Sequence, residues 1–224
     1  MISAVLFDCD GLMFDTEIVA NEIWRYEAEK NNVVLPEDFF ERIIGSGGND
    51  LWAYIDSIAG LRDIVADIRA KRFHLDFWAS IHTDCLNRPG LIEIFQWLRE
   101  ENIPCAICSS SPAVYVETLL STVSVQLKYE AIVGGDMVKH AKPDPEIFLL
   151  GAQALHVAPA ECMVLEDSKA GILAARRAGM HSCFIPDTII PDAEMKSAIE
   201  YECSSLNEVI PLLGTLRKED RHEL

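Results

Sequence analysis

From Gly90 onward, short apolar runs alternate with helical patterns, and this alternation constrains the fold more than any other feature of the chain. It is the habit of βαβ units wound around a buried parallel sheet. Strands are expected at 104–108, 131–133, 163–166 and 182–185, together with an earlier apolar run at 4–7. Helices are expected at 91–101, 113–122, 145–155 and 170–178, the last closed by Gly179 as a carboxyl-terminal cap. The fold class that follows is α/β.

The interval between the first strand and the remainder behaves differently. It shows helical periodicity at 19–31, 50–58 and 63–85 and no convincing strand, so it reads as a helical insertion. Arg88-Pro89-Gly90 marks the return, because proline and glycine break the preceding helix. The division expected is a core of residues 1–14 and 87–224 and an inserted helical domain of 15–86. Within the insertion, Trp24, Trp52, Phe73, Phe77 and Trp78 fall at helical spacings and read as packing residues, while Lys71, Arg72, His74 and His82 read as solvated. The glycine-rich loop 45–48 follows no strand and lacks the Lys-Ser/Thr of a P-loop, so it reads as a flexible turn. The charged stretch 217–224 reads as a frayed tail.

Charge narrows the partners. A formal net charge of −17 over 224 residues argues against nucleic acid and against an anionic membrane surface, both of which need a basic face. The start, Met1 to Asp8, lacks the basic beginning and the apolar length of a signal peptide, and no later apolar stretch would span a bilayer. A cytoplasmic location is expected, and a monomer fits this architecture. The seven cysteines cannot all pair within one chain, and several lie in apolar runs, which favours reduced, buried thiols. Cys105 and Cys108 form a C-x-x-C, but on a strand residues three apart point to opposite faces, so a redox role is not expected. Cys9 reads as a packed neighbour of the site.

Four polar clusters follow the expected strands. Asp8-Cys9-Asp10-Gly11 comes directly after the first strand, where ligands bind in open α/β sheets. Asp8 could attack phosphorus while Asp10 serves as acid and then base, although one such motif alone is more readily a polar turn closing the strand. Ser109-Ser110-Ser111 ends the second strand and precedes a helix, so its hydroxyls could hold phosphate or cap the helix. Ser109 is the first candidate ligand and Ser110 the second, with Ser110 or Ser111 free to cap. Lys142, in Ala141-Lys142-Pro143-Asp144-Pro145, could supply positive charge to a phosphate and to the acids, although most such lysines are solvated. Glu166-Asp167-Ser168 offers hard oxygen ligands for magnesium, or simply a helix cap.

Each cluster alone has a bland explanation, but the combination does not. Four strands of one sheet would each end in a group that phosphoryl transfer requires. Two carboxylates about 4 Å apart repel by roughly 4 kcal/mol at an effective dielectric of 20. Asp8, Asp10, Glu166 and Asp167 can therefore share a site only with Lys142 and a divalent cation.

In order and context, Val5-Leu6-Phe7-Asp8-Cys9-Asp10-Gly11, Ser109, Lys142-Pro143-Asp144-Pro145-Glu146-Ile147-Phe148 and Val164-Leu165-Glu166-Asp167-Ser168-Lys169-Ala170-Gly171 resemble the haloacid dehalogenase superfamily. The likeness is greatest to its beta-phosphoglucomutase branch with a helical cap, over nearly the whole chain. The resemblance implies a Rossmann-like three-layer α/β/α core, a mobile cap, Asp8 as nucleophile and Asp10 as acid/base. It further implies Mg²⁺ held by Asp8, the Asp10 carbonyl and Asp167, with Glu166 beside the metal, and a small phosphorylated metabolite as substrate. Mutase members carry a cap histidine where this chain has Ala20 and a cap-loop arginine where it has Gly48, so hydrolysis is expected over sugar-phosphate mutase chemistry. Dehalogenase and phosphonate-cleaving branches lack an aspartate at the place of Asp10.

Overall fold

A computed structural model describes residues 1–43, 48–72 and 86–222. Its Cα positions cluster into two compact units, Met1–Asp15 with His82–Leu224, and Thr16–Ile81.

The larger unit is built on one six-stranded sheet in the order β3-β2-β1-β4-β5-β6, parallel at every pairing. The strands are β1 (Ala4–Phe7), β2 (Cys105–Cys108), β3 (Ala131–Val133), β4 (Cys162–Glu166), β5 (His181–Phe184) and β6 (Tyr201–Glu202). Successive residues of the central strands supply opposite faces of the sheet, the period-two consequence of an extended backbone. Ala4, Leu6, Ala106, Cys108, Val133, Cys162 and Val164 share one buried cluster with Ile147, Phe148, Ala152, Ala174 and Ala175. On the alternate register, Phe7 stacks on Phe95 at 4.7 Å between ring centroids. Helices thus cover both faces, which accounts for strands that are apolar throughout instead of alternating with polar residues.

The insertion comprises α1 (Thr16–Lys30), α2 (Phe39–Ile43), α3 (Gly48–Asp56) and α4 (Leu61–Arg72). Helices of the larger unit are α5 (Leu91–Glu100), α6 (Ala113–Ser121), α7 (Glu146–Ala154), α8 (Lys169–Arg177), α9 (Ala193–Ala198) and α10 (Leu206–His222). α5 shows why such segments become helices: Leu91, Ile94, Phe95 and Leu98 repeat at three- and four-residue intervals and are all buried. Gly90 before it has φ +93°, and a Cβ there would lie 2.3 Å from the backbone nitrogen of Asn207. Only glycine fits that approach of α5 to the start of α10.

Several boundaries differ from the sequence-based expectation. β5 begins at His181 and ends at Phe184, and the short β6, α9 and α10 were not anticipated. The supposed frayed tail is helical as far as His222, because Leu206, Val209 and Leu213 bury one face of α10. In the insertion, Trp24 and Trp52 line an apolar cavity of about 210 Å³ together with Ile23, Ile55, Val65 and Ile68. Phe73, Phe77, Trp78, His74, His82 and the loop 45–47 lie outside the described residues, as do the surroundings of Gly48 and the side chains of Lys71 and Arg72.

No helix among the described residues is long and apolar enough to cross a membrane. The six described cysteines are buried and unpaired by disulfides. Burial, then the carboxylates of Asp10 and Asp8, push the Cys9 thiol well above its ordinary range, which makes it a poor nucleophile.

Candidate active site

The strand order places β1 between β2 and β4, so the chain reverses its direction of winding beside β1. A doubly wound sheet opens a crevice at the carboxyl end of the strand at such a switch point. Asp8 is the first residue beyond β1 and is anchored there by its N–H, which donates to Leu165 O at 3.0 Å. Its side chain is 10% exposed.

Lys142 reaches this point from the loop before α7, and its side chain is 4% exposed. Its ammonium donates to Asp8 Oδ1 at 2.5 Å, to Glu166 Oε1 at 2.7 Å and to Cys108 O at 3.1 Å. Those three acceptors match the three donors of a lysine, so the charge is fully satisfied without solvent. Nζ also lies 4.7 Å from the centroid of the Phe148 ring. Burial works to lower the Lys142 pKa, but the carboxylates of Asp8 and Glu166 outweigh it and hold the group protonated.

Glu166 is fully buried at the end of β4. Its second oxygen, Oε2, accepts from the Ser168 N–H at 2.7 Å and the Ser168 hydroxyl at 2.8 Å. Ser168 Oγ in turn accepts from Gly171 N at 3.0 Å and thereby caps α8. A Cβ at Gly171 would fall 1.7 Å from Glu166 Oε1, so the glycine is what lets the carboxylate lie against the first turn. Both Glu166 oxygens are therefore committed to protein donors.

Asp10 occupies a different environment made of hydroxyls. Ser111 Oγ donates to its Oδ2 at 2.7 Å, Ser109 Oγ approaches the same oxygen at 3.4 Å, and the Tyr115 hydroxyl reaches Oδ1 at 3.2 Å. Ser109 also accepts from Ser111 N at 3.0 Å, folding the loop after β2 back on itself. Two glycines make room for that loop: a Cβ at Gly135 would lie 2.1 Å from Ser110 O, and one at Gly134 would lie 2.4 Å from Ala113 N.

The sequence reading leaves Ser110 or Ser111 to cap the following helix, and neither does so. Pro112 is the cap residue of α6, and Asp136 accepts from Ala113 N at 2.9 Å in place of a serine. Ser110 is exposed, whereas Ser109 and Ser111 are buried. Ser111 and Tyr115 join the site beyond the residues expected from the sequence, although the signal is present: both closely follow the strand end at Cys108, Tyr115 in the first turn of α6.

Asp167 is 9% exposed. Gly11, with φ +80°, brings bare backbone against it: a Cβ there would stand 2.3 Å from Asp167 Oδ2. Burial, followed by the like charges of Asp8 and Glu166, pushes the Asp167 carboxyl up to about 9. Asp8 is pushed up to about 7, again by burial first, with Lys142 opposing and Glu166 and Asp10 reinforcing. Lys142 thus does not neutralise the cluster by itself. Asp8 and Asp167, the latter lying against the bare backbone of Gly11, offer hard oxygen donors with a surplus of negative charge, a set that suits a cation such as Mg²⁺.

The chain matches the family of haloacid dehalogenase-like hydrolases over residues 2–179. It is 31% identical over 183 residues to a phosphorylated carbohydrates phosphatase of Thermotoga maritima, covering 82% of this chain and 84% of that one. It is also 31% identical to a fructose-1-phosphate phosphatase of Escherichia coli, over 80% of this chain and 93% of the relative. Among solved structures, beta-phosphoglucomutase from Clostridium difficile superposes with a TM-score of 0.68 at 25% identity, over 93% of both chains. The strand order, the acidic switch point and these matches agree, and the chain belongs to the haloacid dehalogenase-like hydrolase family.

Proposed function

We propose that this chain is a Mg²⁺-dependent phosphatase that hydrolyses the monoester of a small phosphorylated carbohydrate or polyol through a phosphorylated Asp8. The observation that carries the reading is the division of labour between two aspartates two residues apart. Asp8 is held by a buried ammonium, and Asp10 is held by hydroxyls.

In the first half-reaction an Asp8 oxygen attacks phosphorus, and the bond from phosphorus to the ester oxygen breaks. Asp10, protonated at that stage, gives its proton to the departing oxygen, which leaves as an alcohol. In the second half-reaction Asp10 takes a proton from water, and the resulting hydroxide attacks phosphorus. The Asp8–phosphorus bond breaks, inorganic phosphate departs, and both carboxyl groups return to their starting states. Ser109 offers a hydroxyl to the phosphoryl oxygens, and Lys142 fixes Asp8 for attack.

Asp8 and Asp167 would hold Mg²⁺, which would offset negative charge on the phosphoryl oxygens and permit both carboxylates to ionise together. Glu166, with both oxygens already engaged, serves chiefly to hold Lys142 and reaches the cation through water at most. On the family resemblance, residues 15–86 are assigned as the cap that selects the alcohol portion of the substrate. The similarity to phosphatases named for phosphorylated carbohydrate substrates supports that substrate class.

The test is release of inorganic phosphate from an aryl phosphate and from a panel of sugar and polyol phosphates, with and without Mg²⁺. Turnover that persists after chelation of the cation would overturn the proposal. A mutase reading is weakened by Ala20 at the place of the mutase cap histidine. Conversion of beta-glucose 1-phosphate to glucose 6-phosphate with a bisphosphate primer would restore it.

A further inference from the structure

Asp187 lies beyond the end of β5, in the loop between Phe184 and the start of α9. Its side chain is 13% exposed, and its Oδ1 accepts from Arg88 Nη1 at 2.8 Å. The other guanidinium nitrogen, Nη2, donates to Pro186 O at 3.2 Å, so Arg88 grips both the carboxylate and the backbone just before it. Such a two-point grip suits the planar fork of arginine and would fix the Asp187 rotamer.

The remaining oxygen, Oδ2, makes no hydrogen bond with another described residue. It lies 3.3 Å from the point that a Gly11 Cβ would occupy, and Asp167 Oδ2 lies 2.3 Å from the same point. The absent side chain of Gly11 therefore leaves the two carboxylates confronting each other over bare backbone. Arg88 compensates only the far side of the group, and the near side faces Asp167.

We infer that Asp187 is a positioning residue for the divalent cation, its Oδ2 accepting a hydrogen bond from a water in the cation's hydration shell beside Asp167, with Arg88 holding it in place. The inference rests on the proposed cation site. Mg²⁺ retains several of its waters when protein-bound, and those waters need acceptors. Partners of this outer kind are worth about 10–100-fold in metal affinity.

Calorimetric titration of the metal-free chain with Mg²⁺ tests the idea, alongside the Mg²⁺-induced rise in Tm. Asp187→Asn should weaken Mg²⁺ binding by about 10–100-fold, while KM for substrate at saturating Mg²⁺ stays near that of the wild type. Arg88→Gln, which leaves the Asp187 carboxylate present but unheld, should give a smaller loss. Unchanged Mg²⁺ affinity in Asp187→Asn would overturn the inference, and a lowered metal-free Tm with unchanged affinity would reduce the pair to a structural clasp. Absence of Mg²⁺ binding by the wild-type chain would instead overturn the cation site itself.

Discussion

Lys142 lies 2.7 Å from Glu166, a carboxylate with no solvent exposure, and the same ammonium contacts Asp8. Removing one partner of a buried ion pair leaves the other charged and unsatisfied, which costs about 3–5 kcal/mol. Lys142→Met should therefore destabilise the chain by about that amount as well as slow it. Urea denaturation checks the first effect; a midpoint unchanged from wild type would show that Lys142 does not bear on stability.

Asp8→Asn removes the attacking oxygen while keeping the shape of the side chain. Turnover should fall by about 10³-fold or more, since groups that form the covalent bond have no substitute nearby. The far-ultraviolet circular dichroism spectrum should match that of the wild type. Phosphate release at even a tenth of the original rate would remove Asp8 from its assigned role.

The pH dependence has a defined sign. Asp8 and Asp167 are raised to about 7 and about 9, so the folded, metal-free chain retains protons that the unfolded chain releases near pH 4. The resulting advantage of the folded state is complete below about pH 4. It is lost progressively as the pH climbs through 7 for Asp8 and 9 for Asp167. Mg²⁺ requires the ionised carboxylates, so the stabilisation it confers should grow over the same interval. Thermal melts at about pH 6 and about pH 8.5 should show a larger Mg²⁺-induced rise in Tm at the higher value. Equal rises at both would contradict the burial of these two groups.

Gly171→Ala would drive a methyl group into Glu166. Overpacking of this kind costs about 1–3 kcal/mol, and here the displaced atom is one that holds Lys142. The variant should lose both stability and activity, whereas Gly179→Ala, with nothing within 4 Å of the new methyl, should suffer only from its φ of +71°. Comparison of kcat for the two separates crowding of the site from backbone strain.

Tyr115→Phe deletes one hydroxyl bond to Asp10 and keeps the ring packed. The lost bond is worth about 1 kcal/mol, so kcat should drop by several-fold up to about tenfold. The change should be accompanied by a displaced pH–rate profile. An unaltered profile would place the hydroxyl outside the chemistry.

The buried strands of the core were legible because their residues are apolar without interruption, a pattern that only a doubly covered parallel sheet explains. β6 was not, since Tyr201 and Glu202 are partly exposed and the strand is too short to show a period. α10 was obscured by Pro211 in its interior, although Leu206, Val209 and Leu213 carry a helical spacing. Asp8, Asp10, Lys142, Glu166 and Asp167 could be singled out because each follows or adjoins a recognisable motif. Choosing among three consecutive serines could not be done by spacing, because the direction of each hydroxyl depends on Gly134 and Gly135, which let the loop lie against another strand end. Asp187 was invisible for a related reason: its meaning comes from Arg88, a partner 99 positions away.

The order of strands has a consequence for how the chain comes into being. β1 is synthesised before either of its neighbours, which are Cys105–Cys108 on one side and Cys162–Glu166 on the other. An oily segment leading into Asp8 must therefore wait, with one edge unpaired, until Cys162–Glu166 has been made. During that wait it is a target for chaperones and a hazard for aggregation. A nascent chain halted before residue 160 has nothing to place along the β4 edge of that first strand, and should resist proteolysis no better than unfolded polypeptide.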